Sequence, residues 1–177
     1  MIDLRLGGDM MNNINSLDIS VAVLAAVSCL GVLIGLPIWA LFIGWAWYFT
    51  LGATSAVFKQ GIPPMFVGSS LAVLAIVLID AFSSSVAPLM AMIFAVFITV
   101  FLLMLTLKIE TLNCSLVSFN AYSCMFAGYY ATSFPAQTGY VSNLFYAVLW
   151  ITGANFLGLV FGWLSIKLAG VGKTVSE

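Results

Sequence analysis

The side chains of this 177-residue sequence that could take part in chemistry are mostly amides, hydroxyls and aromatic groups. Asn120, Ser123 and Thr132 lie in a stretch unusually rich in serine, threonine and tyrosine, and Asn155 stands in a later, otherwise apolar stretch. Amides and hydroxyls exchange hydrogen bonds with neutral molecules, but without a neighbouring base they are weak nucleophiles. The pattern therefore favours contact with a small uncharged solute. Asn120 and Asn155 could instead bond to each other across a helix interface.

Further candidates are small and polar residues that recur every four positions, in an aromatic-rich stretch at residues 39–52 and again at residues 120–132. This interval puts the residues of each stretch along one helix face. They are Ala40, Gly44, Tyr48 and Gly52 in the first stretch, and Asn120, Cys124, Gly128 and Thr132 in the second. Small residues at this spacing are typical of closely packed membrane helices, so helix packing is one interpretation. In the other, the two faces meet at the centre of a bundle, where Tyr48 and Asn120 contact a solute and the Trp45 indole lines a cavity.

Groups that would support catalysis or metal binding are missing from the sequence. It has no histidine, and Cys29, Cys114 and Cys124 do not form a close pair, which excludes the common zinc motifs. Asp80 is the only acid within an apolar stretch, and it lies near the end of that stretch. We therefore expect no catalytic residue, no metal site and no cofactor, and we expect the protein not to be an enzyme. A net charge of −1 also argues against nucleic acid as a partner.

The composition indicates what surrounds these residues. Hydrophobic residues make up 63% of the chain and charged residues 6%, whereas about 25% of residues are charged in soluble globular proteins. A soluble fold of this size cannot bury so much apolar surface, so the surplus needs a lipid bilayer as its solvent. Long apolar runs in lipid must be helical, because the bilayer offers backbone groups no other hydrogen-bond partner.

The charged residues and the helix breakers divide the chain into six apolar stretches. A membrane-spanning helix needs about 20 mostly apolar residues. We predict an all-α, polytopic membrane protein with six transmembrane helices near residues 19–37, 39–57, 64–82, 88–107, 115–134 and 143–166. Residues 1–18 and 168–177 are predicted to be cytoplasmic tails on either side of a membrane domain at 19–167. The breaks are predicted at Pro37, at Pro63-Pro64, before Pro88 and at Pro135.

The basic residues give an independent test of this count. With six spans, one face of the membrane receives every lysine and arginine of the chain: Arg5, Lys59, Lys108, Lys167 and Lys173. Loops rich in basic residues stay in the cytoplasm. We therefore predict that the N- and C-termini are both cytoplasmic.

The second half of the sequence bears a weak similarity to the first. At an offset of 76, Gly52 matches Gly128 and Phe58 matches Phe134. Two identities are close to chance, so six unrelated helices and a repeat of three helices plus three both remain open. In a repeat, the halves would occupy about 19–82 and 88–167, and the odd number of spans in each would invert the second copy. Inverted repeats of this kind are frequent in transporters.

The segment Phe42-Ile43-Gly44-Trp45-Ala46-Trp47-Tyr48-Phe49 resembles the Phe-x-Gly-x-x-x-Tyr-Phe signature of a bacterial inner-membrane family, domain-of-unknown-function family 1097. The similarity extends over most of residues 20–170. The chain departs from the family in the fifth span, where Ser118-Phe119-Asn120 stands in place of a second Phe-Ile-Gly. The resemblance implies a compact six-helix protein of the bacterial inner membrane. Because the family has no established activity, it implies no substrate.

These observations favour a channel or facilitator for a small, largely uncharged solute. Its path would be lined by Trp45, Tyr48, Asn120, Ser123, Thr132 and Asn155. The alternative is a non-transporting membrane subunit, scaffold or regulator, in which the same residues only pack helices. The expected partners are the lipid bilayer, such a solute and further copies of the chain in a homo-oligomer.

Overall fold

The computed structural model describes residues 14–174, with side chains to residue 170. Every regular element in that part of the chain is helical, as the apolar runs predict. The helices are α1 (Ser16–Ser28), α2 (Ile38–Thr50), α3 (Ala56–Ser83), α4 (Pro88–Thr106), α5 (Ser115–Tyr130), α6 (Tyr140–Ala147) and α7 (Gly153–Thr174). A 3-10 segment (Cys29–Ile34) extends α1, and a π turn (Val148–Thr152) joins α6 to α7 in one continuous rod.

Four of the helical rods are long and apolar enough to cross a membrane. They are Ser16–Ile34, Ala56–Ser83, Pro88–Thr106 and Tyr140–Gly170. Their outward surfaces are apolar, with Leu33 84% and Phe97 70% exposed, as expected for side chains that face lipid. The other two helices are shorter: α2 has 13 residues and α5 has 16, which is about 20 and 24 Å at 1.5 Å per residue. Within residues 14–174, the protein is an all-α membrane protein with four helices of membrane-spanning length and two shorter ones.

The start of α3 departs from the predicted boundary. The sequence predicts a break at Pro63-Pro64, but both prolines lie inside α3. Proline lacks the N–H that would bond to the carbonyl four residues earlier, so here the carbonyls of Lys59 and Gln60 lose their partners. Both of these residues are exposed, and water at the membrane surface can bond to their carbonyls. The predicted break was wrong because the two carbonyls that lose their partners can bond to water, so the helix continues through both prolines.

The described ends of the chain are helical further than the sequence predicts. The Asn15 side chain accepts a hydrogen bond from the Leu17 N–H at 2.9 Å, and the Asp18 carboxylate accepts one from the Asn15 N–H at 2.9 Å. This capping box starts α1 at Ser16, inside the predicted tail. At the other end α7 continues to Thr174. The rest of the predicted tails, residues 1–13 and 175–177, lies outside the described residues.

The beginning of α1 and the end of α7 lie side by side. The Ser20 hydroxyl donates a hydrogen bond to the Ser165 carbonyl oxygen at 2.9 Å, and the first residues of α1 share a cleft with the last described side chains of α7. The described chain therefore begins and ends at the same end of the bundle. At another part of the surface, the turn at Pro37 and the loop at Pro135 line a common pocket.

The helix contacts form two corresponding sets. The two most extensive contacts join α2 to α7 and α5 to α3, while α1 also packs on α7 and α4 on α3. The first and second helices of each half of the sequence thus pack on the third helix of the other half. The halves are interlocked and could not fold as separate bundles.

The buried positions follow the same correspondence. A shift of 77 residues carries each buried residue of α2 onto a buried residue of α5, and a shift of 90 carries eight of the nine buried residues of α3 onto buried residues of the α6–α7 rod. The closest backbone contacts agree. A methyl group on Gly158 would lie 2.1 Å from the Leu41 carbonyl oxygen, and one on Gly68 would lie 2.2 Å from that of Ser118. These two contacts are related by the same shifts.

Candidate functional site

Asn155 is fully buried where α2, α5 and α7 meet. Its Nδ2 donates a hydrogen bond to the Ala40 carbonyl oxygen of α2 at 2.7 Å and contacts the Cys124 Sγ of α5 at 3.7 Å. Its Oδ1 has no hydrogen-bond partner among the described residues. A buried carboxamide oxygen without a donor is unfavourable, so Asn155 presents an unused acceptor inside the bundle.

Glycine residues bring the helices close to this asparagine. A methyl group on Gly44 would lie 2.0 Å from the Asn155 carbonyl oxygen, and a methyl on Gly158 would lie 2.5 Å from the Trp45 backbone nitrogen. The backbones of α2 and α7 are therefore in direct contact at Asn155 and one turn further along α7, at Gly158. Gly158 and Gly162 act as packing residues, as their spacing indicates.

Asn120 bonds to Trp47 and not to Asn155. The Trp47 Nε1 donates a hydrogen bond to the Asn120 Oδ1 at 3.3 Å, which links α2 to α5. Trp47 is 1% exposed and Asn120 is half-buried. The hydrogen bond between the two amides that the sequence allows is not formed. Asn120 instead bonds to Trp47 and Asn155 to Ala40, both on α2.

Trp45 and Tyr48 lie on the buried face of α2 but reach different neighbours. The Trp45 ring packs edge-on against Phe161 with 5.6 Å between the ring centroids, and its Nε1 has no partner in the described part of the chain. The Tyr48 ring packs against Phe58, and its Cβ would lie 2.5 Å from a methyl on Gly162. Neither side chain hydrogen-bonds to Asn155.

Ser123 and Thr132 lie away from this centre. Ser123 is exposed on the outer face of α5, next to the buried Cys124. Thr132 is exposed just after the end of α5 and has a φ of 49°. It lines a pocket of about 500 Å3, which we call the vestibule, together with Trp39, Phe134 and other residues of 32–39 and 132–135. The structure thus gathers Trp45, Tyr48, Asn120 and Asn155 at contacts of α2 with its neighbours, and places Ser123 and Thr132 outside them.

Three buried hydroxyls add to the polar character of the interior. Ser69 on α3, Ser118 on α5 and Thr152 in the π turn are at most 3% exposed, and their hydroxyl oxygens have no partner within residues 14–170. Ser118 belongs to the polar stretch that the sequence singles out. Ser69 and Thr152 escape notice in the sequence, because a single hydroxyl in an apolar span usually bonds to its own helix.

The chemistry of the site is limited to neutral hydrogen bonding. The buried polar side chains in the described region are serine, threonine and asparagine, and the charged residues there are all exposed. No group of three histidine, cysteine or acidic side chains that could hold a metal ion occurs among the described residues. The arrangement can therefore offer donors and acceptors to a neutral molecule or to water.

Comparison with known proteins identifies the family. Residues 18–170 match the model of a family described as a protein of unknown function, DUF1097. Curated proteins and solved structures give no match. The matched region begins within α1, reaches into α7 and includes the signature at residues 42–49. The chain therefore belongs to the DUF1097 family.

Proposed function

We propose that this protein is a membrane channel or facilitator for a small, largely uncharged solute. One observation carries the proposal, namely the unpartnered Oδ1 of the fully buried Asn155. A solute that donates an N–H or O–H would supply the missing hydrogen bond. An ion would meet no buried counter-charge within the described bundle, and burial of an unpaired charge is costly.

We also propose that the two halves, α1–α3 and α4–α7, are inverted repeats. The interlocked helix contacts, the matching burial at shifts of 77 and 90 residues, and the paired contacts at Gly68 and Gly158 support this relationship. For α2 and α5, the shift of 77 that matches the buried positions differs by one residue from the offset of 76 that matches the sequence identities. Inverted repeats are common in transporters, whose sites lie where the halves meet. Asn155 is in such a position, because it joins α7 to both short helices.

The proposed location is the bacterial inner membrane, with six crossings and both termini in the cytoplasm. The adjacent ends of α1 and α7 support an even number of crossings. Lys59 and Lys108 are exposed, and the positive-inside rule would place them on the cytoplasmic face. In this proposal the short helices α2 and α5 cross the membrane together with their flanking segments. Local thinning of the bilayer around a short helix makes such a crossing possible.

A non-transporting subunit, scaffold or regulator is the second candidate. It is favoured by the backbone contact of α2 with α7, because a methyl group on Gly44 or Gly158 would collide with the opposite helix. A facilitator has to open the bundle near this contact, whereas a scaffold keeps it shut. The two functions therefore predict different behaviour of the same interface.

Solute flux into liposomes tests the proposal. Purified protein in liposomes is exposed to acetamide, glycerol or ammonia, and swelling or internal pH is followed by stopped-flow light scattering or fluorescence. We expect faster entry of at least one solute than in protein-free liposomes, and loss of that increase in Asn155→Leu, which removes both hydrogen-bonding groups. Thr50→Val is the matched control, because Thr50 is exposed and its hydroxyl bonds to its own helix at Ala46. Equal entry with and without protein for all three solutes would refute the facilitator.

A further inference from the structure

Corresponding positions in the two halves are occupied by residues of opposite chemistry. Trp47, Met65 and Leu159 belong to one buried cluster of apolar side chains, which we call the apolar plug. Shifts of 77 and 90 residues relate these three residues to a second set, Cys124, Asn155 and Ser69. We call this second set the polar compartment: Asn155 and Cys124 are in contact at 3.7 Å, and Ser69 is assigned to it by the correspondence of the two halves.

Direct contacts support this correspondence. The apolar plug includes Val117 and Ala121 of α5, and the shift of 77 relates them to Ala40 and Gly44 of α2. In the polar compartment, the Asn155 Nδ2 bonds to the Ala40 carbonyl oxygen, and the Asn155 backbone touches Gly44. The two sites thus correspond in packing, and each is built from both halves: one holds large apolar side chains, and the other holds an amide, a thiol and small residues.

The polar compartment has unused hydrogen-bonding capacity. Asn155 is 0% exposed and its Oδ1 has no partner, and Ser69 is 2% exposed with an unpartnered hydroxyl. The Asn155 Oδ1 can only accept, so its natural complement is an N–H or O–H group. The neighbouring residues Ala40 and Gly44 are small, and the α2–α7 contact has to open for a molecule of a few heavy atoms to reach the amide.

The vestibule lies next to the compartment. Trp39, which lines the vestibule, precedes Ala40, the residue that accepts the Asn155 hydrogen bond. The Trp39 ring also reaches Gly128 of α5, where a methyl group would lie 3.3 Å from its Cζ2. Trp39 is 38% exposed, and its ring lies between the vestibule and Gly128 of α5.

The apolar plug lies on the opposite side. Val57 belongs to it and Phe58 and Cys114 pack against it, and these residues adjoin Lys59 and the short turn that follows Lys108. The plug therefore separates the polar compartment from the end of the bundle that carries these lysines.

We propose that the polar compartment is the binding site for a small neutral hydrogen-bond donor such as a simple amide. The solute enters from the vestibule past Trp39, donates to the Asn155 Oδ1, and is held back from the lysine-bearing side by the apolar plug. The class of solute in this inference rests on the proposed function. The inference adds where the solute binds, at Asn155, and which side chains block its path, those of the apolar plug.

Cys124 provides an internal reporter of the compartment. In a Cys29→Ser, Cys114→Ser background it is the sole thiol, and its reaction with methyl methanethiosulfonate is followed by mass spectrometry on the full-length protein in liposomes. Acetamide near twice its Kd should slow this reaction by about threefold, as simple occupancy requires. Ala127→Cys added to this background, with Cys124 retained, is the control, because Ala127 is exposed on the same helix and acetamide should not protect a thiol there.

Truncating a side chain of the apolar plug tests whether the plug blocks access to Cys124 from the lysine-bearing side. A charged methanethiosulfonate added on the Lys59 side should leave Cys124 unmodified in the background protein and should modify it in Leu159→Ala. Leu103→Ala removes the same side chain from a buried position outside the plug and should leave Cys124 unmodified. Modification of Cys124 in both variants alike, or in neither, would overturn the assignment of the plug.

The two proposals fail in different ways. Acetamide that does not slow Cys124 modification overturns the binding site, even if the protein speeds solute entry. Protection of Cys124 without any increase in solute entry retains the site and overturns the facilitator.

Discussion

At the scale of single residues, the hydrogen bond between Trp47 and Asn120 is a link between two helices that otherwise touch little. Interhelical hydrogen bonds of this kind contribute about 0.6 kcal/mol on average in membrane proteins, and up to about 1.7 kcal/mol. Both partners lie in the second helix of their half. The bond therefore couples the two halves directly.

Trp47→Phe should lower the free energy of unfolding by about 1 kcal/mol through the lost hydrogen bond to Asn120, in addition to the cost of the smaller ring at a buried position. Trp150→Phe is the matched control, since the Trp150 Nε1 has no partner within the described chain and the change should have a smaller effect. Equilibrium unfolding in mixed micelles measures both. Because Trp47 is buried and Trp150 half-buried, a loss at Trp47 no larger than the loss at Trp150 would show that the hydrogen bond contributes nothing.

Thr132 is held in a backbone conformation that β-branched residues rarely adopt, with a φ of 49°. Glycine adopts it without a steric penalty. Thr132→Gly should therefore stabilise the protein by about 1 kcal/mol, measured as a higher thermal unfolding midpoint in detergent. Ala131→Gly, at a neighbouring residue with a φ of −80°, should give no such gain. A lower midpoint for Thr132→Gly would mean that the threonine side chain contributes more than its strain removes.

At the scale of helices, the glycines at the α2–α7 and α3–α5 contacts decide how closely the elements pack. Gly158→Ala should cost several kcal/mol or prevent folding, because the added methyl would meet the Leu41 carbonyl oxygen at 2.1 Å. Gly68→Ala should have a similar effect through Ser118. Gly153→Ala is the control, since nothing lies within 4 Å of its added methyl. That variant should gain about 0.5 to 1 kcal/mol from helix propensity.

Yield and unfolding free energy in detergent distinguish these variants. Tolerance of alanine at both Gly68 and Gly158 would contradict the close backbone approach. Tolerance at one of them alone would contradict the equivalence of the two halves.

At the scale of the whole molecule, the interlocked halves predict a definite arrangement of loops. Single cysteines at Gln60 and Thr111 should react with an impermeant maleimide from one side of the membrane, and cysteines at Ser84 and Gln137 from the other, in a protein without native cysteines. All four positions are exposed in loops or at helix ends. Labelling of Gln60 and Thr111 from opposite sides would refute the six-crossing arrangement.

The sequence alone determined the class of the protein and the approximate position of each helix. Composition and long apolar runs act locally, because every backbone group in lipid must be bonded within its own helix. The signature at residues 42–49 indicated the correct family, because a family match depends on the sequence itself. Pro63 and Pro64 misled the boundary of α3 because their effect depends on which carbonyls remain open to water.

Only the tertiary structure decided which polar residues share a site. Asn155 lies with Ala40 and Cys124, which are 115 and 31 residues away in sequence, while Asn120 bonds to Trp47. Such partners depend on how helices cross and on their rotation about their axes. A rotation of one residue moves a side chain by about 100° around a helix with 3.6 residues per turn. Ser123 and Cys124 are neighbours in sequence, yet one faces outward and the other faces Asn155.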